Sequence, residues 1–167
     1  GEGDDVQQAV LHLTAEVGRF LASVRVSYAV SAAQVRLVQD SFAKVQSLGD
    51  TASDLFYGRL FETAPQVRSL FSNDMSAQKR KLMAMLALTV ANLDKPEALV
   101  ATVRDLGDRH VGYGALQAHY EPVGAALLWT LEQGLGSDFT PEIRQAWSET
   151  YRVITGLMTM AGTAKAA

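Results

Sequence analysis

The sequence contains no cysteine. A disulfide scaffold, a thiolate metal site and cysteine nucleophilic catalysis are therefore excluded, and a reducing, cytoplasmic setting is expected. Basic charge is not in excess either. Fifteen Lys and Arg stand against eighteen Asp and Glu, for a net charge of −3. A nucleic-acid binder normally carries a basic excess or stripe, so no nucleic-acid partner is expected. No apolar run approaches the ~18 residues of a membrane-spanning helix. The longest candidates, 82–93 and 123–131, have the length of core helices and carry Thr, Asn or Gly, so no membrane insertion is expected. The start Gly1-Glu2-Gly3-Asp4-Asp5 lacks a Met and the basic-then-apolar pattern of a signal peptide; it reads as a cut or processed start. Common catalytic signatures are missing as well. There is no Gly-x-Ser-x-Gly, no phosphate-cradling glycine loop, no His-Glu-x-x-His and no dinucleotide fingerprint. Asp105 and Asp108 read as a solvated helix face, and nothing points to a hydrolase.

What is present is a helical pattern almost throughout 167 residues, a length that suits one domain with a real core. Ser31 with Gln34 forms a capping box ahead of Val35, Leu37 and Val38. Thr51 with Asp54 reads as a second start of the same kind. Pro65, Pro96 and Pro141 suit the first position of a helix, where a missing N–H costs nothing, and Pro122 suits a first turn. These signals predict helices over 5–28, 32–47, 51–63, 65–70, 76–92, 96–110, 117–135 and 140–160.

The first of these helices differs from the rest. Val6, Val10, Leu13, Val17, Phe20 and Val24 recur at spacings of four and three, a heptad seam rather than a broad core-facing stripe. Three readings follow, one of them a disordered leader. The helix packs on its own domain, or it forms a coiled coil, as a homodimer or with another partner, through residues 6–24. The chain divides accordingly into a helical extension, 1–28, and a domain, 29–167.

Three polar or titratable residues lie on apolar faces. His110 follows Leu99, Val103 and Leu106 in phase, so it is either a core histidine satisfied by a backbone carbonyl or an axial metal ligand. Gln78 is in phase with Leu82, Met85 and Thr89; it needs a partner if buried, or it reaches solvent from the helix start. Tyr57 shares a face with Leu60, Phe61 and Ala64, and a buried phenol must find a hydrogen-bond partner. His12 falls between seam positions, towards solvent, and His119 sits beside Tyr120 at a helix start.

Local motifs then meet a family. Phe56-Tyr57-Gly58-Arg59-Leu60-Phe61, followed by Pro65 to Phe71, resembles the B helix, C-helix proline and CD-corner phenylalanine of bacterial single-domain globins. Gln78-Lys79-Arg80-Lys81-Leu82-Met83 resembles their distal E helix. Asp105 to His110, followed by His119-Tyr120-Glu121-Pro122-Val123-Gly124, resembles their proximal F helix and G-helix start. Trp147 to Tyr151 resembles the middle of their H helix. The resemblance covers about 130 of the 167 residues. It implies an all-α globin fold, a 3-over-3 helical sandwich preceded by an extra N-terminal amphipathic helix, binding haem b. It also implies His110 as the iron ligand, Tyr57 and Gln78 on the distal side, Leu82 over the gas ligand, and Phe71 wedged against the haem. Tyr120 falls on the proximal side and Lys81 within reach of a propionate. The implied ligands are O₂, CO and NO.

Two departures qualify that resemblance. Relatives often carry a Glu late in the H helix that polarises the proximal histidine; here the stretch reads Met158-Thr159-Met160-Ala161-Gly162-Thr163. No flavin or nicotinamide domain is present in the sequence, so enzymatic activity stays open and nitric oxide dioxygenation would need an outside reductase. Leu13 to Arg25 resembles the C-terminal tail of the chemotaxis-receptor signalling coiled coil. That likeness implies an alternative role, a haem-based gas sensor in chemotaxis or signal transduction, reporting through the N-terminal helix.

Overall fold

In a computed structural model the backbone is described for residues 1–112 and 117–166, and side chains for 1–109 and 118–159. Among the described residues seven α-helices follow in order: α1 (Glu2–Ala29), α2 (Ala32–Gln46), α3 (Asp50–Thr63), α4 (Ser76–Ala91), α5 (Pro96–Gly112), α6 (Tyr120–Leu135) and α7 (Pro141–Ala166). A 3₁₀ turn at Pro65–Leu70 links α3 to α4, and short 3₁₀ turns precede and follow α6. No strand occurs among the described residues. The fold is the all-α globin sandwich with an added N-terminal helix.

Most helix starts follow the local chemistry. Gln34 donates its backbone N–H to the Ser31 hydroxyl at 3.1 Å and its side chain accepts from the Ser31 N–H at 3.0 Å, so two otherwise orphaned donors are satisfied. Pro96 and Pro141 open α5 and α7, and the Thr140 hydroxyl accepts from Ile143 N–H at 3.2 Å. One start differs from expectation. No cap forms at Thr51; α3 begins a residue earlier, after Gly49, which has φ 60° and no side chain to offer. Glycine takes that left-handed backbone without steric cost, so the turn at Gly49 sets the boundary instead of a hydroxyl.

The two layers, α2, α4 and α5 over α3, α6 and α7, meet chiefly where α5 and α2 cross α7, and α3 packs on α6 within its own layer. The main core runs through Val38, Phe42, Val45, Leu99, Val100, Val103, Leu131 and Trp147. Two polar ties cross it. Trp147 Nε1–H donates to Ser41 Oγ at 2.8 Å, tying α7 to α2, and Gln39 Nε2 donates to the Val90 carbonyl at 3.1 Å, tying α2 to α4. At α6 and α7 the backbones close on one another. A Cβ at Gly124 would lie 2.5 Å from Tyr151 Cε1, so only glycine admits the ring there. The Tyr151 hydroxyl passes beside it to donate to the Tyr120 carbonyl.

Helix α1 enters this body only at its C-terminal third. Ala22, Ser23 and Val26 are buried there, Val30 joins them in the core just beyond the helix, and the contacts are with α5 and α7. No helix among the described residues is long and apolar enough to cross a membrane.

Candidate functional site

A second, smaller core forms where α3, the 3₁₀ turn, α4 and α6 converge. Phe56, Tyr57, Leu60, Ala64, Val67 and Ala126 are buried in it, with Phe61, Phe71, Met75, Leu82, Val123 and Leu127 packed around them. The helical period places Phe56, Tyr57 and Leu60 on one side of α3. Pro65 ends that helix and turns the chain, so that Phe71 comes back over Tyr57. The two rings meet edge to face, 5.6 Å apart, and Phe61 completes the cluster at 5.5 Å from Phe71. Arg68 fixes the returning loop. Its guanidinium donates to the carbonyls of Phe71, Ser72 and Asn73 and lies over the Phe61 ring.

One polar pair sits inside this apolar cluster. Gln78 Nε2 donates to Tyr57 Oη at 3.0 Å. The sequence required a partner for Tyr57 without naming one and left solvent as an alternative for Gln78; the structure joins the two side chains, 21 positions apart, to each other. The bond uses the phenol oxygen as its acceptor, so the hydroxyl proton is not consumed by it and remains a donor. Burial raises the Tyr57 pKa above its ordinary value, while the Gln78 bond pulls the other way. The phenol is thus held protonated. Just outside, Lys79 Nζ reaches Asp54 Oδ1 at 2.8 Å and latches the start of α4 onto α3.

Leu82 packs in the same cluster. Lys81, its neighbour, is exposed at the rim. Tyr120 belongs to the main core, from which Leu127 bridges to the smaller one. Burial raises the Tyr120 pKa. Burial also raises that of Tyr151, with Tyr120 adding to the effect and a backbone N–H at Gly124 opposing it. The side chain of His110 lies outside the described residues; its position falls within α5, whose Leu99 and Val103 are fully buried in the expected phase. The structure therefore brings Tyr57, Phe71, Gln78 and Leu82 together. The sequence reading did not single out Met75, Val123 and Leu127 as lining residues, or the Gly124–Tyr151 crossing. A glycine inside the apolar run of α6 was the signal for the latter.

A haem of the kind the resemblance implies is a flat, largely apolar ring with carboxylates at one edge. The residues present fit it. Phe71, Leu82, Val123 and Leu127 pack around Tyr57 yet are themselves only half-buried, which makes them an apolar wall with a single polar pair set in it. Helices α4 and α5 touch each other only lightly.

Comparison with known proteins bears on the family and the fold. The model of the family described as Globin matches residues 54–158. The chain is 31% identical over 127 residues to a flavohemoprotein of Xylella fastidiosa, covering 74% of this chain and 32% of that one. It is 28% identical over 123 residues to a flavohemoprotein of Bacillus subtilis, covering 72% and 31%. The chain thus spans about a third of the length of the curated relatives it matches. Among solved structures it superposes with TM-score 0.72 and 30% identity on an engineered carbene transferase from Rhodothermus marinus, described as a nitric oxide dioxygenase, over 81% of this chain and 94% of that one. A hexacoordinated haem protein from an anhydrobiotic tardigrade gives TM-score 0.73 at 14% identity, a likeness of fold, over 80% and 96%.

Proposed function

From the premise that the chain belongs to the globin family, we propose that it binds haem b and reversibly takes up O₂, and other diatomic gases such as CO and NO, on the side lined by Tyr57 and Gln78. Haem, when bound, would supply an iron that accepts a gas, and donors near it would decide between binding and activation. His110, in phase with the buried face of α5, would hold the iron. Tyr57 would offer its hydroxyl proton from an apolar surround, and Gln78 would orient the phenol through the bond to its oxygen. Leu82 and Phe71 would pack against the haem, Lys81 would meet one of its carboxylates, and Tyr120 would stand on the side of His110. The observation that carries the reading is the Tyr57–Gln78 hydrogen bond inside an otherwise apolar cluster.

The chain then acts as a carrier, a store or a scavenger in a cytoplasmic setting, and any dioxygenation of NO needs a reductase to supply electrons. Reconstitution with haem tests this directly. The intact chain should acquire porphyrin absorbance, His110→Ala should lose its iron-ligand signature, and His119→Ala should keep it. A chain that stays colourless with haem would overturn the reading.

A second reading is supported by one observation: α1 packs on α5, the helix that carries position 110. On that reading the extension, 1–28, attached to the globin domain, 29–167, reports gas binding to a helical partner, as a sensor in chemotaxis or other signal transduction. Ligand-dependent association would favour it over the carrier reading.

A further inference from the structure

Helix α1 has two apolar faces, and they point in different directions. Ala22, Ser23 and Val26 form the face buried against α5 and α7. Gly18 extends that face one turn back, where Arg104 of α5 lies over it. The heptad residues Val6, Val10, Leu13, Val17, Phe20 and Val24 form the other face. At 100° per residue the two are centred roughly 150° apart around the helix. The seam is therefore not what docks α1 on its own domain. Val6, Val10, Leu13, Val17 and Phe20 are 47–63% exposed, far above what apolar side chains show when they serve their own core.

We propose that this face pairs with the same face of a second copy of the chain, as a parallel two-stranded coiled coil. The choice of occupant rests on the seam itself. In heptad terms Val10, Val17 and Val24 occupy the a positions, and Val6, Leu13 and Phe20 the d positions. β-Branched valine at every a position, with leucine at the central d position, favours two parallel strands. The flanking positions allow a like partner. Gln7, Thr14 and Leu21 stand at e, and Ala9, Glu16 and Ser23 at g. In parallel register Glu16 of one chain faces Leu21 of its partner, so no two carboxylates are forced together across the seam.

The area is sufficient as well. The exposed seam with Leu21 offers roughly 600 Å² per chain, or ~1,200 Å² for the pair, the lower end of the range for specific interfaces. The geometry is self-consistent, because Ala22 stands at f, the position opposite the a/d seam. One helix can rest its f side on its own α5 while its a/d side meets the partner, so pairing leaves the globin body undisturbed. The pairing does not depend on haem.

Sedimentation of the full chain across a range of concentrations should show a monomer–dimer equilibrium. Val10→Glu with Val17→Glu places carboxylates at two exposed a positions and should raise the dissociation constant about 100-fold or more, with an unchanged helical circular dichroism spectrum. The absence of native cysteine makes orientation testable. Val6→Cys should cross-link to itself on mild oxidation, because parallel register sets the two copies of residue 6 side by side within disulfide reach. Antiparallel register would hold them at opposite ends of the seam. A chain that is monomeric at all concentrations would overturn the pairing and leave the seam to a different protein. So would a dimer that survives the double substitution, since it must form elsewhere, and a seam-dependent dimer without the Val6→Cys cross-link would overturn the parallel arrangement.

Discussion

The region around Tyr57 and the first two-thirds of α1 are equally rich in large apolar side chains, yet they use them in opposite ways. Around Tyr57 three segments of chain converge on the apolar face of α3, and the one polar pair inside is matched donor to acceptor. On α1 no element among the described residues covers the seam before Val24. Hydrophobicity alone therefore does not predict burial. What differs is the number of elements the chain can bring to the same place. Pro65 and the Arg68 loop fold the polypeptide back over α3, whereas α1 leaves the body after its small-residue face and has only its seam left to offer.

The contrast is sharpest when the same residue is removed from both regions. Leu60 is 2% exposed and Leu13 is 61% exposed. Leu60→Ala should cost about 2–5 kcal/mol, the lost transfer energy plus the cavity. Leu13→Ala, measured on the monomer at high dilution, should change stability by less than ~0.5 kcal/mol. Denaturant unfolding of both variants decides it. A comparable loss at Leu13 would mean that the seam is buried within a single chain, and the two regions would cease to differ.

A second prediction concerns the polar pair. Tyr57→Phe removes the donor while keeping the ring and its edge contacts with Phe56 and Phe71. A hydrogen bond to a ligand that gains negative charge is worth about 1.5–3 kcal/mol, so O₂ release should quicken roughly ten- to a hundredfold. CO, which gains less charge, should leave at nearly the original rate. Stopped-flow release of the two gases is the measurement, and an unchanged O₂ rate would remove Tyr57 from its proposed role.

These two regions were not equally legible in the sequence. Apolar spacing placed Tyr57, Gln78 and Leu82 on inward faces, because a helix period converts directly into a face. It did not pair Tyr57 with Gln78, since spacing along one helix carries no information about which residue of another helix it meets. The start of α3 was misplaced by one residue, because the positive φ of Gly49 did what a Thr51 cap was expected to do. In α1 the large residues of the seam were conspicuous. The docking face is built from Ala22, Ser23 and Gly18, whose small side chains barely register in a hydropathy pattern but let helices approach closely. The Gly124–Tyr151 crossing went unseen for the same reason.

The smallest expected effect tests whether the pair around Tyr57 depends on charge at its edge. Lys79 and Asp54 join α4 to α3 at 2.8 Å, but their side chains are 33% and 58% exposed, so solvent screens the attraction. Exposed pairs are worth about 0–1 kcal/mol, and Lys79→Met should lower stability by no more than about 0.5 kcal/mol, an effect that shrinks further as salt is raised. On α1 the corresponding exposed contact, His12 with Glu16 at 2.9 Å, joins only neighbouring turns of one helix and holds no second element in place. The two should therefore separate in function more than in stability. Lys79→Met loosens the end of α4 that carries Gln78 and should shift O₂ release slightly, whereas His12→Ala should leave gas release unaltered. If Lys79→Met leaves release untouched at low salt, the apolar cluster alone sets the Gln78–Tyr57 geometry, and the surface ion pair adds nothing to it.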